Sequence, residues 1–420
     1  MAQPKQLKKL ARERMARTGE TYTQARKAVL AGAPAPGGRP SSSAPAAEEH
    51  DDGAELPEYP APEGVLQYDA GLWSRVLTQA GVTDPRTGRP VTEALLAGLA
   101  GGIGFMVFTF DYESGTTATV VTRAHPEPYV ENLVSRVGVP VRQAHTSSAK
   151  AAQAHLDEAL DAGRAVVVRV TETVLPWVDS DVPDTDAESV DLAVLGEDED
   201  GKYLIDDGSG ALRLLRPGQL SAARSRRKKD KNWQAWVPES VPPREDALRA
   251  AIIEAVRETS GRLLGESELE GIPAHFAKNF GVSGLRTWAA KLTGTGARDW
   301  PAMFADPDRL DAALAMVSGF FDSGRYSGAG GLRGLYAQFL EEAAERDGLA
   351  PLAGAAGAYR DLAGDWDELI SLLRPEAARE AGFATTAEYL GALAGRVERL
   401  ADAEQAAAET LRDAAAALAD

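Results

Sequence analysis

Cysteine is absent from all 420 residues. That single absence excludes disulfides, thiolate metal ligands and thiol nucleophiles together. No stretch approaches the roughly 18 consecutive apolar residues that cross a bilayer. The basic beginning of the chain lacks the apolar core of a secretory signal, so a cytoplasmic protein without membrane association is expected. There is no G-x-S-x-G elbow, which leaves a hydrolase serine without support. Histidine is scarce: His50, His125, His145, His155 and His275 are the only five, and none pairs at i, i+4 around a glutamate as a zinc peptidase requires. The acidic run "DSDVPDTDAE", residues 179–188, lacks the turning glycine of a calcium loop and carries Pro183 at a ligand position, so it reads as a solvated loop. No metal and no cofactor are expected.

What is present is ordinary for a globular chain: 44% hydrophobic and 26% charged residues, enough length for two cores and tails. The net charge of −18 is unevenly spread, because residues 1–30 hold eight Lys/Arg against two Glu and leave −24 on the rest. An acidic body disfavours nucleic-acid binding except through residues 5–30, which read as two short basic helices around Thr18-Gly19-Glu20. Residues 31–62 hold seven prolines among Ala, Gly, Ser and acidic residues and read as a disordered linker.

Residues 63–240 mix helices with strands. "DAGLWSRVLTQAGV" is a helix with Asp69 as its N-cap and Gly81 as its stop, and "AKAAQAHLDEALDAG" is another ended by Gly163. "FMVFTFDY", "ATVVTRA", "AVVVRV", "VDLAVLGE", "KYLIDD" and "ALRLL" alternate with turns as a largely antiparallel sheet does. Residues 244–378 are helical throughout, with apolar faces at Leu248, Ile252 and Val256 and at Leu332, Leu335, Tyr336, Phe339, Leu340 and Ala343. Trp288, Trp300 and Trp366 read as core anchors. An amphipathic helix over 379–420 places Leu390, Leu393, Val397 and Leu400 in one seam, which packs on its own domain or makes a homodimer. The fold class is therefore α+β followed by an all-α region.

Two glycine clusters differ in orientation. In "GLAGGIGFMVFTFDY" a helix leads into Gly98, Gly101, Gly102 and Gly104 and a strand leads out, which is the reverse of a phosphate cradle. These glycines read as a helix stop and a tight turn. In "GRYSGAGGLRGLY" the loop precedes a helix, so the amides of Gly328, Gly330 and Gly331, with Arg325 and Arg333, are candidates for binding an anion. The run "RSRRKKDK" supplies Arg226, Arg227, Lys228 and Lys229, either a solvated turn or a landing site for an acidic partner.

The order of "EALLAGLAGGIGFMVF", "LDEALDAGRAVVVRV", "DLAVLGEDEDGKYLIDD" and "RPGQLSAARS" resembles the N-terminal domain of butirosin biosynthesis protein H. "NFGVSGLRTWAAKL", "SGAGGLRGLYAQFLEEAA" and "AYRDLAGDWDELISLL" resemble the uncharacterised domain that often follows it. The resemblance implies a papain-like cysteine-peptidase fold used as an acyltransferase, which moves an amino-acyl chain from a carrier protein to an aminoglycoside. It also implies a thiol at a helix start and a histidine at a strand start. In this chain the first position falls on Tyr68 or Asp69 and the second on Asp191, while Asp206 matches the orienting position.

Nucleophile and base are thus both replaced. The expectation is a degenerate, binding or scaffolding member of specialised metabolism, whose partner is an acyl or peptidyl carrier protein or a cationic small molecule. Asp191 and Asp206 as an acid–base pair, Tyr68 with Asp191 in an amide-bond enzyme, and partner or nucleic-acid docking through the basic N-terminal helices are the alternatives.

Overall fold

A computed structural model describes residues 58–418 apart from 63, 113–114, 127, 179–188, 268, 270, 381 and 384, and side chains at 111–115 and 377–379 are also left aside. The basic helices, most of the linker and the acidic run therefore lie outside the described residues. The chain divides into two compact units, one holding residues up to 61 with 79–81 and 141–240, the other holding 62–78, 82–140 and 241–420.

The sheet unit is built on six antiparallel strands in the order β3-β8-β4-β5-β6-β7. These are β3 (Arg142–Ala144), β4 (Val166–Thr171), β5 (Ser189–Glu197), β6 (Tyr203–Asp206), β7 (Leu212–Leu215) and β8 (Gln234–Trp236). Continuous runs such as Val166-Val167-Val168 suit strands covered on both faces, and all three valines are fully buried. Two helices pack against β4: one over Ala149–Asp161, capped by the Ser148 hydroxyl accepting from the Ala151 amide, the other over Pro217–Ser225.

The second unit opens with α1 (Tyr68–Gln79, its last residue counted with the sheet unit) and α2 (Glu93–Leu99), capped by the Thr92 hydroxyl accepting from the Leu95 amide at 3.0 Å. The hairpin of β1 (Ile103–Tyr112) and β2 (Gly115–Arg123) follows and forms its own two-stranded sheet. Phe105 explains why this hairpin belongs with the helical half: its ring lies 6.1 Å from Trp288 and 6.0 Å from Trp366. The grouping thus cuts across the boundary expected near residue 240, since 62–140 go with the C-terminal helices. A short helix over Tyr129–Arg136 closes this part.

The helical part runs through Glu245–Leu264, α7 or Gly281–Thr293, Trp300–Met303, Pro307–Asp322, α10 or Arg333–Ala344, α11 or Leu352–Leu372, Pro375–Glu380 and α13 or Thr386–Ala417, so the helices are numbered α1 to α13 in chain order. Trp288, Trp300 and Trp366 are completely buried, as core anchors should be. The seam of Leu390, Leu393, Val397 and Leu400 is buried too, and α13 packs on α7 and α11 of its own chain. That seam is not open to a second copy.

The first glycine cluster has two jobs. Gly101 and Gly102 take φ of +118° and +62° and turn the chain from α2 into β1, as the helix-stop reading requires. Gly98 instead lies within α2, where a Cβ would sit 2.3 Å from the Phe339 ring of α10. Gly98→Ala should therefore lower unfolding free energy by about 1–3 kcal/mol through overpacking. Gly354→Ala, on α11 with open space around it, should instead gain about 0.5–1 kcal/mol. Urea unfolding of the two variants checks the contrast.

Candidate functional site

The start of α1 is a crowded polar corner. Gln67 and not Asp69 caps the helix: its Oε1 accepts from the Ala70 amide at 2.7 Å. The amides of Leu66 and Gln67 donate to one oxygen of Glu93, at 2.8 and 2.5 Å. Burial raises the Glu93 carboxyl above its usual range, opposed by those two amides and by Arg75. Tyr68, the first residue of the helix, is buried, and its amide donates to the Gly324 carbonyl at 2.8 Å. The Arg325 guanidinium lies over its ring, 5.1 Å from the centroid.

Asp69 is a first-turn residue whose carboxylate accepts from Arg123 at 2.8 Å. Arg123 comes from the end of β2 and is sandwiched between aromatic rings, 4.4 Å from the Tyr129 centroid and 4.7 Å from that of Tyr326. The corner therefore holds a carboxylate with its own guanidinium, itself held between two rings. Behind it a cavity of about 10 Å³, large enough for a single water, is lined by Gln67, Tyr129 and Tyr336 among others.

The sheet unit repeats the device. Asp191 stands near the start of β5, 5% exposed, opposite Arg169 in the ladder. Arg169 donates to both of its oxygens, from Nε at 2.8 Å and Nη2 at 3.0 Å, and stacks 4.5 Å over the Trp233 ring. Asp206 closes β6, fully buried. One of its oxygens accepts from the Tyr59 hydroxyl at 2.6 Å and the other from the Gly208 amide at 2.9 Å. Tyr59 falls in the stretch whose composition predicts a disordered linker, yet its phenol is a fixed partner of the Asp206 carboxylate, and no local pattern in the sequence announces it.

The basic run lies beside Asp191. Arg227 donates to the Ser189 hydroxyl at 2.8 Å and pairs with Asp230, to which Ser189 also donates. It is thus spent inside the unit, whereas Lys228 and Lys229 are exposed on a short 3-10 turn and Arg226 is exposed just before it. Lys231 and Asn232 follow in the left-handed region at φ of 47° and 48°. Asn232 holds the turn by donating to the Thr146 carbonyl at 2.8 Å.

The second glycine loop corrects the anion-binding expectation. Gly330 and Gly331 both take φ of +57°, and the Gly330 amide donates to the Asp367 carboxylate of α11 at 2.6 Å. Arg333 is fully buried and paired with Glu404 of α13 at 2.5 Å. It also donates to the carbonyls of Thr122, Gly331 and Gly104 at 2.9, 2.7 and 2.8 Å. A loop shaped for a carboxylate does bind one, but from its own chain. Gly328 is extended backbone, and Arg325 stays on the Tyr68 ring.

Among the described residues no three His, Asp or Glu side chains gather to hold a metal ion. His145 and His275 are exposed, and His275 stacks 4.1 Å from Phe276. The sheet unit thus brings Asp191, Asp206 and the basic turn together, and the other unit brings together Tyr68, Asp69 and Arg325.

Comparison with family models matches residues 67–208 to "Butirosin biosynthesis protein H, N-terminal" and residues 218–411 to "Domain of unknown function (DUF4872)". No curated protein matches the chain.

Glu93 supplies a pH test of this corner. A carboxyl raised by folding adds stability that is fully present below its ordinary value near 4.5 and is lost as pH rises through the folded value. The stability of the natural protein relative to Glu93→Gln should therefore fall as pH rises above 4.5. Thermal melts of both proteins across that range would show the gap closing or reversing.

Proposed function

Since the chain joins a butirosin biosynthesis protein H N-terminal domain to a DUF4872 domain, we propose that it is a member that binds and does not transfer. One observation carries this reading. The positions that the resemblance assigns to the thiol and the imidazole lie beside or on carboxylates already neutralised within their own units, Asp69 by Arg123 and Asp191 by Arg169.

The chemistry of acyl transfer makes the consequence plain. A thiolate acts because it is charged, exposed to the acyl group and paired with a base that can take and return a proton. With no cysteine in the chain, Tyr68 would have to serve, and its phenol is far less nucleophilic at neutral pH than a thiolate. Asp191 would have to be the base, yet both of its oxygens accept from one guanidinium.

Binding remains open to such a frame. The acidic body, at −24 outside the first thirty residues, favours a polycationic small molecule, while the exposed Lys228 and Lys229 offer an acidic carrier protein a basic contact on the turn that meets Ser189 at the start of β5. Charge reversal by Lys228→Glu with Lys229→Glu should weaken carrier-protein affinity about tenfold at low salt and less at high salt. Titration calorimetry at two ionic strengths reads both effects.

The catalytic question has its own test. The full chain is incubated with aminoacyl thioesters, with and without aminoglycoside, and followed by intact mass and product analysis. No adduct and no turnover above the buffer rate are expected. Turnover that disappears in Tyr68→Phe would replace the binding reading with an oxygen-nucleophile transferase.

A further inference from the structure

A cleft of about 640 Å³ opens in the larger unit between the end of α6 (Glu245–Leu264), the loop that follows it, a 3-10 turn over Ala274–Asn279 and the first turn of α7. Small-molecule sites occupy roughly 300–1,000 Å³, so the space suits a ligand and not a single water. Its wall is largely apolar. Leu264, Leu269 and Ile272 are only half-buried, and Phe280 is buried behind them. An apolar body laid against these side chains would take their remaining surface out of water.

The walls are pinned before any ligand arrives. Gly281 begins α7 at φ of +58°, and a Cβ there would lie 2.5 Å from the Leu263 carbonyl oxygen, so glycine lets α7 start hard against the end of α6. The Glu266 amide donates to the Gly261 carbonyl at 2.8 Å, and its carboxylate pairs with Arg412 of α13 at 3.0 Å. On the other side, the Lys278 carbonyl accepts from the Thr287 hydroxyl of α7 at 2.8 Å. The Phe276 and Phe280 rings meet Phe108 of β1 edge to face, at 5.4 and 5.8 Å. A cleft held in this way pays little ordering cost on binding.

The charges of the lining are of one sign. Among the described residues that line the cleft, Arg262 and Lys278 are cationic and none is acidic, in a chain whose net charge is −18. Arg262 is buried and donates to the Gly101 carbonyl at 3.1 Å, which makes it a fixed part of the floor. Lys278 is exposed, and its ammonium can reach a ligand. Ser267 and Ser283 complete the polar lining.

We propose that this cleft binds a small amphipathic anion: an apolar body seated on Leu264, Leu269, Ile272 and Phe280, with one negative head group at Lys278. Apolar wall, volume and charge agree on that chemistry. The site lies within the helical region, and it stands whether or not the chain transfers acyl groups.

Titration calorimetry of the full chain with decanoate, well below its micelle concentration, and with decanol as its neutral counterpart tests the head and the body separately. Saturable binding of decanoate is expected. Lys278→Glu should weaken decanoate about tenfold at low salt and leave decanol nearly unchanged. Lys150→Glu, an exposed charge reversal on the helix over Ala149–Asp161, should alter neither. Ser283→Trp, from an exposed position on the first turn of α7, should fill the cleft and remove both ligands; Ala277→Trp, exposed on the 3-10 turn, does the same from the opposite wall. Melting curves that match the natural protein's show that a variant is folded. No saturable decanoate binding would overturn the proposal, as would equal losses for decanoate and decanol in Lys278→Glu. A Lys150→Glu loss as large as that of Lys278→Glu, or undiminished binding in a folded tryptophan variant, would overturn it as well.

Discussion

The buried guanidinium of Arg333 holds the larger unit together. Its Nε meets Glu404, and its remaining nitrogens reach the carbonyls of Gly104 on β1, Thr122 on β2 and Gly331 in the glycine loop. One side chain thereby ties the hairpin, the loop and the last helix to each other. Trp366 joins from α11, donating to the same Glu404 oxygen at 2.9 Å and lying under the guanidinium at 5.0 Å. Removing a charge this deep from water costs several kcal/mol, and only a nearly complete set of partners offsets it. The pair thus contributes less to net stability than to uniqueness, because any other arrangement of these elements strands a charge.

Much of the local geometry follows from that constraint. The glycine loop must bring the Gly331 carbonyl to Arg333 and the Gly330 amide to Asp367, and two successive left-handed residues do both. A Cβ on Gly331 would lie 2.7 Å from the Trp366 ring. Burial also pushes the Tyr359 phenol well up, and the Glu404 charge adds to the effect. The hydroxyl stays protonated and neutral beside a carboxylate, as a closed core requires.

Particular residues show what the sequence could and could not reveal. Helical spacing located Leu390, Leu393, Val397 and Leu400 as one face, and burial on neighbouring helices confirms it. Turn chemistry located Gly101, Gly102 and Gly163, each with positive φ. The role of Gly98 was misplaced because close approach to Phe339, 241 positions away in the chain, leaves no local mark. Residue type marks Gly330 and Arg333 as candidates for an anion, but that Asp367 and Glu404 of the same chain meet them depends on packing between distant helices, which leaves no local mark. Asp69 suited the N-cap by residue type, yet Gln67 reached the Ala70 amide and freed Asp69 for Arg123. Tyr59 lay in a proline-rich stretch whose composition concealed a single long-range bond.

The two arginine–carboxylate pairs share a logic that bears on what kind of site can exist here. A thiolate and an imidazolium neutralise each other, so each needs its counterpart to be stable and both are reactive for that reason. In this chain each unit neutralises its own charge: Arg123 and Asp69 between two tyrosines, Arg169 and Asp191 on a tryptophan. An aromatic face over a guanidinium takes the place of water and holds the pair without a further ion. Neither unit then depends on a proton moving to the other. What each corner presents at its surface is therefore a paired charge set against an aromatic face.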